Sequence, residues 1–156
     1  MLIRKAVFAD KEQVKILYKE LFAVSARMQP LFYQNAEIEE AFLDEIIKSD
    51  NKVLFVAEEN SDIAGFALAL EEKTQPFACA RQLSYAYLLD IIVRSDCRGR
   101  GIASGLVRRV KIWAKERNLH HVAITVLEEN SRAIGCYKKE GFSDAMRTMR
   151  FIIDKK

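Results

Sequence analysis

Residues 85–105 have the sequence YAYLLDIIVRSDCRGRGIASG. The first nine are an apolar run of strand length, interrupted only by Asp90. A turn rich in glycine and arginine follows, and apolar residues then recur at helical spacing through residues 101–117. A strand, a glycine turn and a helix in this order are typical of a ligand site at a helix N-terminus.

The turn after this strand has the features of a phosphate site. Gly99 and Gly101 allow the backbone to approach a ligand, and the first N–H groups of the helix point outward at the positive end of its dipole. Arg98 and Arg100 add full charges. The alternative is a tight turn that needs glycine only for its backbone, in front of a solvated basic helix. Of these two interpretations, phosphate binding is favoured. A P-loop is excluded, because no Lys-Ser or Lys-Thr pair follows these glycines.

Outward from this unit, the chain alternates strands and helices. Asp10 and Gln13 predict a capping box at the start of the first helix. The strands are predicted at residues 2–7, 52–58, 63–70, 85–93, 122–127 and 146–153, and the later helices at 36–48, 101–117 and 132–139. The order is β-α-α-β-β-β-α-β-α-β, which predicts a mixed α/β sheet in a single domain spanning 1–156.

Charge is distributed unevenly between the two parts of the chain. Residues 1–90 hold 10 Lys and Arg against 15 Asp and Glu, whereas residues 91–156 hold 15 against 7. The basic part favours an anionic ligand, but the net charge of +3 is too small to indicate nucleic acid as a partner.

The cysteines and histidines indicate no disulfide framework and no metal site. Cys79, Cys97 and Cys136 are odd in number and widely spaced, which favours reduced thiols in a cytoplasmic protein. His120 and His121 are adjacent without a third ligand nearby, and we expect them to be solvated. The N-terminus is charged and no apolar run has the length of a membrane span, so we expect neither a signal peptide nor membrane insertion.

Two motifs resemble those of the GNAT superfamily of N-acetyltransferases. Its signature Q/R-x-x-G-x-G/A is matched by Arg98, Gly101 and Ala103, between a strand and a helix. The segment NSRAIGCYKKEGF, residues 130–142, is similar to the one in which an asparagine precedes a helix bearing a tyrosine and then a Gly-Phe pair. The resemblance implies a mixed, mostly antiparallel central sheet with flanking helices, and acetyl-CoA as the donor of an acetyl group to an amine.

The resemblance also implies a role for individual residues. The backbone of Ile92 and Val93 would bond the pantetheine arm and the thioester carbonyl, and Asn130 would contact the pantetheine arm. Tyr137 would lie near the sulfur and assist departure of the thiolate. The pyrophosphate would lie on the turn formed by Arg98, Gly99, Arg100, Gly101, Ile102, Ala103 and Ser104.

Asp90 is the candidate general base. An alkyl amine with a pKa of about 10.4 is neutral in only about one molecule in 2,500 at pH 7, so its deprotonation must be assisted. An acid between Leu89 and Ile91 is partly desolvated and can take the proton directly or through a water. Many members of the family carry a glutamate one position earlier, and a shift of one residue in a strand reverses the face. Asp90 could equally bond a sheet bulge or a neighbouring backbone amide.

Tyr137 is better suited to hydrogen bonding than to proton transfer. A phenol with a pKa near 10 that donates to a thiolate near 8.5 transfers its proton uphill by roughly 2 kcal/mol. We therefore expect its hydroxyl to stabilise the departing sulfur.

The acceptor is predicted to be a cationic amine. Glu37, Glu40 and Asp44 form an acidic stripe on the second helix, opposite its apolar stripe. By the resemblance, this helix borders the acceptor. Polyamines, aminoglycosides and peptide or lysine amines all fit this charge, and a homodimer would be usual for proteins of this kind.

Two other functions remain open from sequence. One is an acyl-CoA sensor that binds without turnover. The other is a nucleotide-binding module, because G-x-G-x-x-x-G with Glu128 at the end of the next strand loosely resembles a dinucleotide fingerprint. The chain after residue 85 is too short for a doubly wound sheet, which counts against the second.

Overall fold

The structure is a computed structural model that describes residues 1–153. Its strands are β1 (Leu2–Lys5), β2 (Lys52–Glu59), β3 (Asp62–Lys73), β4 (Ser84–Val93) and β5 (Val122–Ile124). Its α-helices are α1 (Lys11–Met28), α2 (Glu40–Lys48), α3 (Ile102–Glu116) and α4 (Ser131–Lys139).

The five strands form one sheet in the order β1-β2-β3-β4-β5. The first three pairs are antiparallel, and β5 lies parallel to β4 after the α3 crossover. The strands predicted at 52–58 and 63–70 form a hairpin. β2 and β3 are joined by Asn60 and Ser61, both at positive φ, as a two-residue turn that matches the twist of the strands requires. The expected mixed, mostly antiparallel sheet is therefore confirmed.

A bulge in β4 decides which face each of its side chains occupies. Asp90 pairs with Leu68 and Leu88 pairs with Ala69, so Leu89 is an additional residue without a partner on β3. Leu88 packs on the α3 face of the sheet. Strict alternation would place Asp90 on that face also, but the extra residue turns Asp90 and Ile92 towards α1 and α2.

The sheet separates two apolar clusters. On the α3 face, small residues of β3 and β4 let the helix approach closely; they are Ala64, Ala67, Ala69 and Ala86. On the other face, α1 contributes Val14, Leu17 and Tyr18, which pack with Phe66 and Leu68 of β3. The alternation along β3 thus sets small residues against α3 and larger ones against α1 and α2.

The final strand predicted at 146–153 is wrong. Residues 143–153 adopt neither helix nor strand. The apolar side chains of this segment lack a surface to cover, and Met146 and Phe151 are 97% and 91% exposed. Apolar residues of a short segment specify a strand only where one face of that segment meets a core.

Several predicted boundaries also change for local reasons. Asp10 does not cap α1; its carboxylate accepts from the N–H of Val7, and Gln13 bonds the N–H of Ile63 instead of closing a capping box. The second helix is predicted from residue 36, but α2 begins at Glu40 and residues 36–39 are not helical. β5 ends at Ile124 rather than at 127, where β4 diverges from it.

Asp10 belongs to an ion-pair network that fixes β1 against β2 and the start of α1. Its carboxylate accepts two hydrogen bonds from Arg4, at 2.7 and 2.9 Å, and Arg4 also donates to Glu58 at 2.6 Å. Asp10 is buried, and the Arg4 guanidinium holds the pKa of its carboxyl below the ordinary value. A lowered pKa means that this carboxylate stabilises the fold above about pH 4 and loses that effect as the pH falls further.

Asp10→Asn should lower the free energy of unfolding by about 2 kcal/mol at neutral pH, since charge-assisted hydrogen bonds are lost. The difference from wild type should shrink as the pH falls below about 4, where Asp10 itself becomes protonated. Urea unfolding between pH 7 and pH 3 measures it, with the exposed Asp62→Asn as the control. A deficit that stays constant over this range would contradict the assignment.

Candidate active site

β4 has an open edge beyond its bulge. Its parallel pairing with β5 ends at Leu88 and Ile124, and beyond the unpaired Leu89 residues 90–93 pair with β3 alone among the described residues. The Arg94 N–H donates to the Ala64 carbonyl of β3 at 2.8 Å. Because backbone groups alternate along a strand, Ile92 also faces β3, and the N–H and C=O groups of Ile91 and Val93 face the open edge.

The backbone of Ile92 is committed to the sheet. A Cβ on Gly65 would lie 2.6 Å from the Ile92 carbonyl oxygen, so that oxygen points at β3. The backbone groups at the open edge are therefore those of Ile91 and Val93, whereas the sequence prediction named Ile92 and Val93. Residue types alone do not indicate which residues of β4 turn their backbone groups towards the open edge, because this depends on the bulge.

The glycine turn leads directly from this edge to α3. Gly99 and Gly101 have φ of 81° and 79°, a region that residues with a Cβ rarely adopt. The first helical bond runs from the Gly105 N–H to the Gly101 carbonyl at 3.0 Å, and no side chain caps the helix. The backbone N–H groups of residues 102–104 precede that bond, which leaves them and the helix dipole directed at the turn.

The arginines of the turn have protein partners. Arg98 donates from Nε to the Val93 carbonyl at 2.8 Å and from its guanidinium to Glu20 of α1 at 2.6 Å. Arg100 donates to Glu59 at 2.6 Å. Arg98 therefore links the turn to the end of β4 and to α1. The position of Arg98 in the motif does not indicate this role.

The uneven charge of the sequence is largely balanced within the fold. Arg98 and Arg100 meet acids from the first ninety residues, and Arg117 donates to Glu71 at 2.6 Å. The expected acidic face of α2 is likewise paired. Lys11 of α1 contacts Glu40 and Asp44 at 2.6 and 2.7 Å, and Lys19 contacts Glu37 at 3.0 Å. The three acids of the predicted stripe thus pair with two lysines of α1, and Glu37 lies before the start of α2.

Asp90 lies at the bulge with one defined partner. Its Oδ2 accepts from the Tyr18 hydroxyl at 2.9 Å. Burial raises the pKa of Asp90, and the hydrogen bond from Tyr18 acts in the opposite direction. A partly desolvated carboxylate beside the open edge has the position and the basicity of a proton acceptor.

Tyr137 lies on the opposite side of β4, and Asn130 lies at the start of α4. Tyr137 is 7% exposed, belongs to the α3-side cluster with Val93 and packs on Phe142 at 5.9 Å between ring centroids. Burial raises the pKa of its phenol. Asn130 accepts from the Ala133 N–H at 3.1 Å and thereby caps α4, which leaves its amide Nδ2 as the group that can donate.

The cysteines and the two histidines do not form a metal-binding cluster among the described residues. Cys97 is buried behind the turn, and the Cys136 sulfur lies 3.7 Å from the Ser104 hydroxyl at the start of α3. His121 stacks on Tyr85 and contacts His120 through the two Nδ1 atoms at 3.1 Å. Within residues 1–153, no group of three His, Cys, Asp or Glu side chains is placed to hold a metal ion. None of the described helices is long and apolar enough to cross a bilayer.

Three features of the site are missing from the sequence prediction. Tyr18 lies in the apolar stripe of α1 and is indistinguishable there from an ordinary core aromatic. Glu20 and Ile91 carry no motif of their own. A signal did exist for the bulge at Leu89, since an acid inside an apolar strand needs either a partner or a change of face.

Comparison with known proteins gives the family. Residues 17–142 match the Acetyltransferase (GNAT) family, and the chain belongs to it. An uncharacterized N-acetyltransferase of Methanocaldococcus jannaschii is 31% identical over 99 residues, which are 64% of this chain and 42% of that protein. A thialysine N-epsilon-acetyltransferase of Bos taurus is 36% identical over 58 residues, which are 37% of this chain and 34% of that protein. The chain thus matches less than half the length of these curated relatives.

Solved structures share the fold at low identity. The tetramutant of the BH1408 protein from Bacillus halodurans superposes with a TM-score of 0.91 at 18% identity, over 98% of this chain and 100% of that chain. Aminoglycoside N-acetyltransferase AAC(6')-Iy, in complex with CoA, has a TM-score of 0.76 at 22% identity, over 98% of this chain and 99% of that chain. The resemblance inferred from the two motifs is confirmed at the level of family and fold.

The two contacts of Arg98 allow a test of its role. Arg98→Ala should weaken acetyl-CoA binding by about 10- to 100-fold if the guanidinium also meets the phosphates, since a charge-assisted hydrogen bond is lost. Glu20→Gln releases the guanidinium and should leave affinity equal or higher. Titration calorimetry measures both, with Arg94→Ala as a control because Arg94 pairs with Asp96.

Equal weakening by Arg98→Ala and Glu20→Gln would show that Arg98 acts only by fastening the turn to α1. Unchanged affinity in a folded Arg98→Ala protein would remove the phosphate role of this side chain altogether.

Proposed function

We propose that this protein transfers the acetyl group of acetyl-CoA to a primary amine by direct attack in a ternary complex. One observation carries the proposal: the open edge of β4 runs directly into an uncapped helix N-terminus. Backbone donors and acceptors along a strand edge suit the amides of a pantetheine arm, and free N–H groups at a helix start suit a pyrophosphate. The two subsites are continuous, as a long ligand with a charged end requires.

The chain offers fitting groups along this path. Ile91 presents a backbone donor and acceptor at the strand edge, and Val93 presents its N–H there, since its carbonyl already accepts from Arg98. Residues 102–104 present N–H groups at the turn. The side-chain amide of Asn130 retains free donors for the same arm. When bound, acetyl-CoA supplies the thioester carbonyl for attack and the thiolate that leaves.

The two candidate catalytic groups approach β4 from opposite faces. Asp90, on the α1 side, takes the proton of the attacking amine, directly or through a water. Tyr137, on the α3 side, donates a hydrogen bond where the sulfur departs. Its raised pKa makes full proton transfer still less favourable than for an exposed phenol, so stabilisation through the hydrogen bond is the proposed role.

The acceptor is proposed to be a small-molecule or peptide amine. Glu37, Glu40 and Asp44 are paired with Lys11 and Lys19, so the choice of acceptor does not rest on these three acids. Support comes instead from proteins of the same fold that are named aminoglycoside acetyltransferases, one of them with a bisubstrate analog of CoA and acetylneamine. The relative named for thialysine extends the candidates to lysine-like amines.

Thiol release from acetyl-CoA tests this function against a panel of amines: an aminoglycoside, a polyamine, thialysine and a peptide with a free lysine. Turnover with at least one amine, together with a mass increase of one acetyl group in the product, supports the proposal. CoA binding without turnover on any amine would favour the sensor. Tighter binding of NAD or ATP than of CoA would favour the nucleotide-binding module.

Tyr137→Phe should lower kcat and leave the KM for acetyl-CoA nearly unchanged, because the hydroxyl acts only as the sulfur departs. Steady-state kinetics at several pH values measures this, with Tyr85→Phe as a control at the other end of β4. Burial raises the pKa of Tyr137, so its ionisation should give no alkaline limb in kcat near neutral pH. Equal kcat in wild type and variant would leave Tyr137 as a core aromatic.

A further inference from the structure

Tyr18 donates a hydrogen bond to Asp90 from a side chain that is packed among aromatic rings. The Tyr18 side chain is fully buried, and its ring packs on Phe66 of β3 with 4.5 Å between centroids. Phe22 and Phe42 contact the same ring at 5.6 and 6.4 Å. Contacts from α1, α2 and β3 therefore fix the hydroxyl, which lies 2.9 Å from Asp90 Oδ2. A donor held in this way also fixes the carboxylate that accepts from it.

The two carboxylate oxygens of Asp90 differ in their surroundings. Oδ2 accepts the bond from Tyr18, whereas no described residue donates to Oδ1. Oδ1 is not fully enclosed by protein, so it keeps contact with solvent. One oxygen is thus anchored in the protein interior, and the other has no protein donor and keeps contact with solvent.

The groups that surround Asp90 are nearly all uncharged. Leu68 lies opposite it on β3, Ile92 follows on its own face, and α2 contributes the apolar Phe42 behind Tyr18. The charged groups where α1 meets the turn, Glu20 and Arg98, are paired with each other at 2.6 Å. Burial and the Tyr18 hydroxyl are therefore the main influences on the state of Asp90.

We propose that Tyr18 is a positioning residue for the reaction: its hydroxyl holds Asp90 Oδ2 so that Oδ1 is presented, ionised, to the amine or to a water that carries its proton. This inference rests on the proposed acetyl transfer. Tyr18 itself does not touch the substrate and transfers no proton. Burial and the neighbouring carboxylate raise the pKa of its phenol, so it remains a donor throughout the working pH range.

The hydrogen bond has a consequence for pH dependence. A base must be ionised to accept a proton, but burial raises the pKa of Asp90. The bond from Tyr18 stabilises the carboxylate and lowers that pKa. Without the hydroxyl, Asp90 stays protonated to a higher pH, so activity is lost mainly on the acidic side.

Tyr18→Phe keeps the ring and removes only the hydroxyl. The acidic limb of kcat/KM should move upward by about one to two pH units, as loss of a hydrogen bond to a charged group implies. The deficit relative to wild type should be about 10- to 100-fold at the acidic end and should disappear well above both pKa values. Loss of packing alone would lower the rate equally at every pH.

The pKa of Asp90 can also be measured without any substrate. Carboxyl-carbon NMR follows its titration, with the resonance assigned by its loss in Asp90→Asn. The value should rise by the same amount in Tyr18→Phe as the kinetic limb does. Tyr87→Phe is the control, because it also removes a tyrosine hydroxyl of β4 that donates to another side chain, a 2.9 Å bond to Thr125, but leaves Asp90 untouched.

If the Phe variant does not fold, 3-fluorotyrosine placed at Tyr18 keeps the shape and makes the phenol a stronger donor. Both the limb and the NMR pKa should then move downward. An Asp90 pKa that stays unchanged in these proteins overturns the inference even if the enzyme is active, as does a kinetic limb that stays fixed while that pKa moves. Absence of turnover in the wild-type protein overturns the proposed function and the catalytic role of Tyr18 with it. The NMR titration needs no substrate, so it still reports whether Tyr18 lowers the pKa of Asp90 when there is no turnover.

Discussion

The additional residue in β4 is the constraint on which the rest of the site depends. A strand without the bulge at Leu89 would continue the pairing of β4 with β5 and would carry Asp90 on the α3 face. With it, Asp90 meets Tyr18, the backbone of Ile91 and Val93 faces an open edge, and β5 stops at Ile124. A single unpaired residue thus positions the base, the strand edge and the gap between the strands.

The remaining structure keeps this edge continuous with the turn and α3. Alanines on the α3 face of β3 and β4 let the helix lie close to the sheet, which brings its uncapped N-terminus to the end of β4. Arg98 then ties the turn to the Val93 carbonyl and to Glu20 of α1. The acidic and basic parts of the chain attract one another within the fold, so an uneven charge along a sequence need not indicate a charged partner.

Local patterns account for what could be predicted from the sequence. The apolar run of β4, the glycines of the turn and the stripe of α3 each depend on neighbouring residues, and their order resembles that of the family. The predictions that failed depend on distant residues. The segment 146–153 has the apolar residues of a strand but no surface to cover. The pairing of Glu37, Glu40 and Asp44 depends on Lys11 and Lys19 of α1, which are distant in sequence. The Ile92 backbone is assigned to the ligand or to the sheet only once the bulge is known.

Deletion of Leu89 tests the central role of the bulge. Leu88 and Asp90 would then be consecutive and would keep their present faces, so the two cores are preserved while β4 loses its bend and can pair with β5 beyond Ile124. Calorimetry of CoA binding to the folded deletion protein, with Leu89→Ala as the control that keeps the additional residue, gives the answer. The deletion should abolish CoA binding, and Leu89→Ala should retain it. Undiminished affinity in the deletion protein would show that the site does not depend on the bulge.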